Sequence, residues 1–313
     1  MTKKVINDAT LEAIADAIRD KNGSSDTYTP LEMPQAIEDI PTGGMDENLE
    51  NLLRGTATGA ITINSVTDLS ATKINIGRVD GMNPNLTEIH MPELLYWSHG
   101  NWNNLNTTGG LVDSSNTTSK NSSARLQVLD IPKCKRLHIS NTYTSTSNAV
   151  FMNLTTLNAP SLETISGTLN RCGLTELNLP NLTQARLSIG FYMCPGLVTV
   201  KLPKYTGDLG SNIFGSCPAL KTVDAGLTNN INQAFNGCTS LDTLILRKTD
   251  GIATLSRGTE FDTTPIGAGN GYIYVPSALI DTYKAATNWS VYSSQFRAIE
   301  DYTVDGVFTP PTV

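Results

Sequence analysis

The chain has 313 residues, 39% of them apolar and 16% charged, with a net charge of −7 and a pI near 5.0. That length allows one to three domains burying about 75% of the unfolded surface, and the composition excludes a disordered or coiled-coil chain. With no lysine or arginine stripe to release counterions, nucleic acid is not an expected partner, and no run approaches the roughly 18 apolar residues of a spanning helix, so no membrane insertion is expected.

Residues 1–44 read as a small helical module. Leu11, Ile14 and Ile18 recur at three- and four-residue steps after a candidate N-cap at Asp8 or Thr10. "KNGSSDTYTP" breaks that helix. "PLEMPQAIEDI" then carries Met33, Ile37 and Ile40 on one face, and "PTGG" ends it. So few apolar side chains are marginal alone, so the module is expected to dock on another copy or on a larger assembly. Acids follow the first lysines where a signal peptide needs an apolar run, which points to synthesis in a cytoplasm and release by another route.

Residues 45–270 carry repeats. Leucine-led phrases begin at Leu86, Leu126, Leu154, Leu174, Leu197, Leu220 and Leu241, and four of the six spacings fall between 20 and 23 residues. That is the period of leucine-rich repeats. The spacings of 40 and 28 imply insertions in the first half, and "LLRGTATGAITINSVTDLSATKINIG" reads as a degenerate first coil. Each phrase predicts a short strand with alternate side chains inward, stacked in parallel at about 4.8 Å. Residues 271–313 break the period, and a helix after Ser277 with Leu279, Ile280 and Tyr283 would cover the last coil. The expected fold class is mainly β with short helices: a leucine-rich-repeat solenoid between an N-terminal helical module and a C-terminal helical cap.

Phe191, Phe214 and Phe235 each stand three residues before Cys194, Cys217 and Cys238, and Cys172 extends the row. Equivalent places in successive coils form a file rather than a cluster. Tetrahedral zinc needs four sulfurs converging at about 2.3 Å, and parallel Cβ vectors make a poor disulfide. A small thiol packs well in a tight inner turn. The four cysteines are expected to be structural, with neither metal nor cofactor.

The F-x-x-C-x-x-L-x-x-[LV]-x-[LA] period resembles the bacterial-surface (BspA-type) leucine-rich-repeat family over residues 50–295, most specifically over 154–247. "YVPSALIDTYKAATNW" is similar to that family's C-terminal cap. "TLEAIADAIRDKNGSSDTYTPLEMPQAIEDI" resembles a short helical module of tail-associated proteins of bacteriophages and prophages. The first resemblance implies binding and adhesion; the second implies attachment to a virion through residues 1–44.

Signatures of catalysis are missing. His90, His99 and His138 form no H-x-x-x-H or H-E-x-x-H, there is no G-x-S-x-G, and "GDLGSNIFGS" lacks a phosphate-loop lysine. No catalytic residue is singled out, and a carbohydrate-active enzyme is the distant alternative. One outward strand column reads His90, Asp130, Asn158, Asn178, Lys201, Asp224 and Ile245; its neighbour reads Glu88, Val128, Thr156, Glu176, Thr199, Thr222 and Thr243. This face is either plainly solvated or a recognition surface. The insertion "LLYWSHGNWNNLNTTGG" offers Tyr96, Trp97, His99, Trp102 and Asn103 as a candidate ligand site, aromatic faces for a sugar ring with asparagine amides beside them, or else a plug for the irregular end. The expected protein is a recognition protein on a phage or prophage tail. It would be released by lysis and form a homo-oligomer such as a trimer, contacting tail or baseplate proteins at one end and a bacterial surface glycan or protein receptor at the other. A bacterial cell-surface adhesin is the alternative.

Overall fold

The computed structural model describes residues 12, 14–16, 29, 32, 45–77, 81–98, 109–113, 124–141, 151–187, 190–304 and 307–308. The chain divides into two compact units, Met1–Glu50 and Asn51–Val313. In the first, residues 14–16 are helical, with Ala15 buried and Ile14 37% exposed; Leu11, Ile18, Met33, Ile37 and Ile40 lie outside the described residues. Helix α1 (Glu47–Arg54) starts where Asp46 Oδ1 accepts from the Asn48 and Leu49 N–H groups, at 2.9 and 3.3 Å. Glu47 and Glu50 in its first turn and Arg54 in its last complement the helix dipole.

The second unit is built mostly of parallel sheets with a few short helices. One ladder runs β1 (Thr58–Thr62), β3 (Asn85–His90), β6 (Val128–Asp130), β8 (Thr156–Asn158). A second runs β10 (Glu176–Asn178), β12 (Thr199–Lys201), β13 (Thr222–Asp224), β15 (Thr243–Ile245), β17 (Tyr272–Val275), β18 (Phe296–Ala298). A third runs β11 (Gln184–Leu187), β9 (Thr164–Gly167), β7 (Arg136–Asn141), β5 (Gly110–Asp113), β2 (Lys73–Ile76), with β4 (Tyr96–Trp97) on β7. β14 (Asn230–Ile231) pairs with β16 (Thr254–Leu255), and β19 (Thr303–Val304) forms an antiparallel hairpin with β20 (Val307–Phe308).

Each repeat phrase makes its strand because apolar side chains alternate inward. Leu174, Leu177 and Leu179 are all buried, as are Leu197, Val200 and Leu202 in the next coil. Burying one such side chain contributes about 1.5–3 kcal/mol, and only a neighbouring coil can cover it. Outward threonines suit the half-exposed pleat. Beyond the strands the pairing continues: Leu179, Leu202, Ala225 and Leu246 each donate a backbone N–H to the following coil. A β-turn leads into each of β12, β13 and β15. Leu197, Leu220 and Leu241 donate to the carbonyls of Cys194, Cys217 and Cys238, and Pro195 and Pro218 take the second turn position, where a fixed φ is favourable.

The residue just before each of Cys172, Cys194, Cys217 and Cys238 has a left-handed backbone: Arg171 (φ 59°), Met193 (59°), Ser216 (55°) and Gly237 (78°). Only the last is glycine, so the first three coils hold this turn against a cost of about 1 kcal/mol each. The phenylalanines beside these turns stack. Ring centroids lie 5.9 Å apart for Phe191–Phe214, 6.0 Å for Phe214–Phe235 and 5.8 Å for Phe235–Phe261. The first two pairs are within 12° of parallel. Spacings wider than the strand repeat fit an offset stack. Phe261 extends the row although Thr264 stands where the earlier coils have cysteine, and Trp289 follows at 6.2 Å.

After Gly271 come a 3-10 turn (Ser277–Leu279), α2 (Ile280–Ala285) and a 3-10 segment (Trp289–Gln295). They bury Tyr283, Trp289, Tyr292 and Phe296. Each polar tip finds a backbone partner: Trp289 Nε1 donates to Ala253 O at 2.7 Å, Tyr292 Oη donates to Gly258 O at 2.6 Å, and Tyr283 Oη accepts from Ala253 N at 2.9 Å.

Candidate functional site

The outward column is continuous in register within each ladder. His90 pairs with Asp130 and Asp130 with Asn158; further along, Asn178 pairs with Lys201, then Asp224, Ile245, Tyr274 and Arg297. In its first part polar side chains meet across coils. Asp130 Oδ2 lies 3.0 Å from His90 Nδ1, Glu88 Oε2 lies 3.0 Å from His90 Nε2, and Asn158 Nδ2 donates to Asp130 Oδ1 at 2.7 Å. Glu176 and Lys201 form an exposed ion pair at 2.7 Å, and Asn158 and Asn178 are exposed. Such exposed pairs add at most about 1 kcal/mol to stability, so the face is not held together by its charges.

Asp224 needs correcting as a recognition residue. It is 5% exposed, and Arg247 clamps it with Nε at 2.9 Å from both oxygens and Nη2 at 2.6 Å from Oδ2; Gly226 N donates to Oδ1 at 3.1 Å. A buried bidentate pair leaves no carboxylate for a ligand. Ile245, the next outward residue, is also buried.

The hydrogen bond to Asp130, then that to Glu88, holds the His90 pKa above its ordinary value. The imidazolium therefore supports the fold fully below pH about 6.5, and that support fades as pH rises through the raised pKa. His138 shows the opposite shift: burial, then the Lys73 charge, lowers it. NMR titration should place His90 above 6.5 and His138 below, and Asp130→Asn should bring His90 back down. A His90 midpoint unmoved by Asp130→Asn would contradict the pairing.

Trp97 also needs correcting. Its side chain is fully buried and β4 pairs it with Leu137, so it cannot present a face to a sugar. Its Nε1 meets no acceptor among the described residues. Tyr96 remains half-exposed, with the Arg136 guanidinium 5.2 Å from its ring centre. His99, Trp102 and Asn103 lie outside the described residues. Trp97→Ala is expected to destabilise by about 3–5 kcal/mol, the cost of emptying an indole-sized site, measurable by urea denaturation. A loss below about 1 kcal/mol would return the ring to the surface.

Cys172, Cys194, Cys217 and Cys238 are free and buried, as is Cys134. Their thiols run between coils. Cys194 Sγ donates to Leu169 O at 3.3 Å, Cys217 Sγ to Phe191 O at 3.1 Å, and Cys238 Sγ to Phe214 O at 2.9 Å. The acceptor is always the residue three before the previous coil's cysteine, so F-x-x-C is one unit of a repeating contact. Burial pushes the thiols of Cys134 and Cys238 up to about 12, far from a reactive thiolate. Among the described residues no group of three His, Cys, Asp or Glu side chains is arranged to hold a metal ion.

A second carboxylate, absent from the sequence reading, sits at the end of the turn row. Backbone bonds pass from turn to turn: Phe191 N to Ile213 O, Asn212 N to Gln233 O and Phe214 N to Ala234 O. At the next step the side chain of Glu260 takes over. Its Oε2 accepts from Gln233 N at 2.6 Å and its Oε1 from Ala234 N at 2.7 Å and Phe235 N at 3.4 Å. Burial raises its pKa while those three N–H groups pull the other way.

Residues 165–259 match the model of the BspA type leucine rich repeat region, in six copies. That stretch holds the cysteine file and three of the stacked phenylalanines. No curated protein matches the chain.

Proposed function

We propose that the chain is a non-enzymatic recognition protein of a phage or prophage tail, contacting a bacterial surface through the outward face of its repeats. The observation that carries this reading is the solvent-facing polar column from Glu88 and His90 through Asn158, resumed at Glu176, Asn178 and Lys201. It is a ruled array of donors and acceptors on a rigid ladder. The non-enzymatic part rests on His90, whose two ring nitrogens are both taken up by carboxylates, so it activates no nucleophile. In this reading residues 45–270 form a solenoid and residues 271–313 cap it helically. Residues 1–44 attach to tail or baseplate proteins, and a homo-oligomer such as a trimer multiplies weak contacts. With a net charge of −7, nucleic acid is no partner. No described helix is long and apolar enough to cross a membrane.

The BspA-type match favours a second reading, a bacterial cell-surface or host-interaction adhesin. Fractionation separates the two: co-sedimentation with tail particles after lysis supports the first, recovery on intact producing cells the second. The shared claim is tested by retaining purified protein on whole bacterial cells. The wild type should be held, and Asn158→Arg with Asn178→Arg should cut retention at least tenfold at an unchanged melting temperature. Equal retention, or turnover of a glycan by the pure protein, would contradict the reading.

A further inference from the structure

The outward face changes chemistry at its C-terminal end. Thr, Asn, Glu and Lys give way on β17 to two tyrosines, Tyr272 and Tyr274, and β18 sets Arg297 in register with Tyr274. Tyr302 then comes back onto the same face. Its ring centre lies 4.8 Å from that of Tyr274, which lies 6.3 Å from that of Tyr272, both pairs edge-on at 70°. Tyr272 is 43% exposed, and Tyr274 and Tyr302 are half-buried. The Arg297 guanidinium stands 4.4 Å from the Tyr272 ring centre, fixed by two bonds from Nη1, to Ser294 O at 2.9 Å and Phe296 O at 2.7 Å. Single exposed aromatics are ordinary, but three edge-packed tyrosines beside a clamped guanidinium form a prepared surface. Their rotamers are already held, so a ligand would find little side-chain entropy left to remove.

We propose that Tyr272, Tyr274, Tyr302 and Arg297 form a binding platform for a neutral, hydroxyl-rich glycan. The tyrosines give flat apolar area for the C–H face of a pyranose, and the phenolic hydroxyls both donate and accept. Both Arg297 bonds leave from Nη1 among the described residues, so Nε and Nη2 keep N–H donors for ring hydroxyls. The local charge selects a neutral sugar. Burial and then Tyr272 hold the Tyr274 phenol above its ordinary pKa, and the carboxylates of Asp242 and Asp301 act on it in the same direction. A polyanionic glycan would find no excess of positive charge, because Asp224, Asp242 and Asp301 stand against Arg247, Lys221 and Arg297. This inference rests on the surface-recognition reading above and names a second part of the same face.

The full chain is titrated by calorimetry with hexaoses of glucose and of N-acetylglucosamine, with a galacturonate hexamer as the anionic comparison. At least one neutral hexaose should bind. Tyr272→Ala and Arg297→Ala should each weaken it at least tenfold, Tyr272→Phe much less, all at the wild-type melting temperature. Arg297→Ala carries the test should Tyr272→Ala melt early. No neutral hexaose bound, affinity unchanged in both alanine variants, or preference for the galacturonate hexamer would each overturn the proposal. Whole-cell retention measured alongside separates the two claims. Wild-type retention with undiminished Tyr272→Ala retention removes the platform alone, whereas wild-type protein that no cell retains removes the surface reading itself.

Discussion

Glu260→Ala is expected to destabilise the protein by about 3–5 kcal/mol, because it leaves the N–H groups of Gln233, Ala234 and Phe235 without their acceptor. Each buried orphan costs about 1–3 kcal/mol; the 3.4 Å bond to Phe235 and water access at Gln233 keep the sum towards the low end. For a unit of this size the melting temperature should fall by on the order of 10 °C. Glu260→Gln keeps one acceptor oxygen and should cost roughly half as much. The signature is local as well as global: amide exchange at Ala234 and Phe235 should accelerate in the alanine variant before any other turn responds. A melting temperature within 2 °C of wild type would show that water replaces the carboxylate, and that the turn row does not need a terminal acceptor.

Phe235→Ala should cost as much or more, about 3–5 kcal/mol for the emptied site. Phe235 is fully buried and stacks on Phe214 on one side and Phe261 on the other. Phe235→Leu restores most of the volume but neither stack, and should cost about 1–2 kcal/mol. Because coils touch only their neighbours, Phe214→Ala and Phe235→Ala should couple, their double variant losing measurably less or more than the sum, whereas Phe191→Ala with Phe261→Ala should add. Additivity in the adjacent pair would mean that the rings are not a stack.

These two residues also show how much could be read in advance. Phe235 was legible because F-x-x-C recurs with leucine phrases at a near-constant period, and the strand columns followed from the same alignment; the paired register of His90, Asp130 and Asn158 is the one that alignment implies. Glu260 was not legible, since it stands before Phe261 as Ile213 and Ala234 stand before their phenylalanines, and nothing in the repeat says that its side chain will accept in place of its backbone carbonyl. Phe261 was hidden because threonine replaces cysteine after it. Asp224 looked outward by alternation, and does point that way, but its partner Arg247 lies beyond the strand end of the following coil, outside the columns that alternation tracks. For Trp97 the polar neighbours left a ligand face and a buried plug both open, and its strand pairing with Leu137 places it inside. Tyr272 and Tyr274 were absorbed into the terminal segment, although their alternation with Ile273 and Val275 is a strand signal in itself.

Counting accessible thiols in the native chain probes the stacked coils most directly. With a disulfide reagent in excess and no denaturant, none of the five cysteines should react on the timescale of minutes, and all five should react once guanidinium unfolds the chain. Rapid native reaction of Cys194, Cys217 and Cys238, or their protection by a metal ion that a chelator removes, would mean that these sulfurs do not lie in file between successive coils.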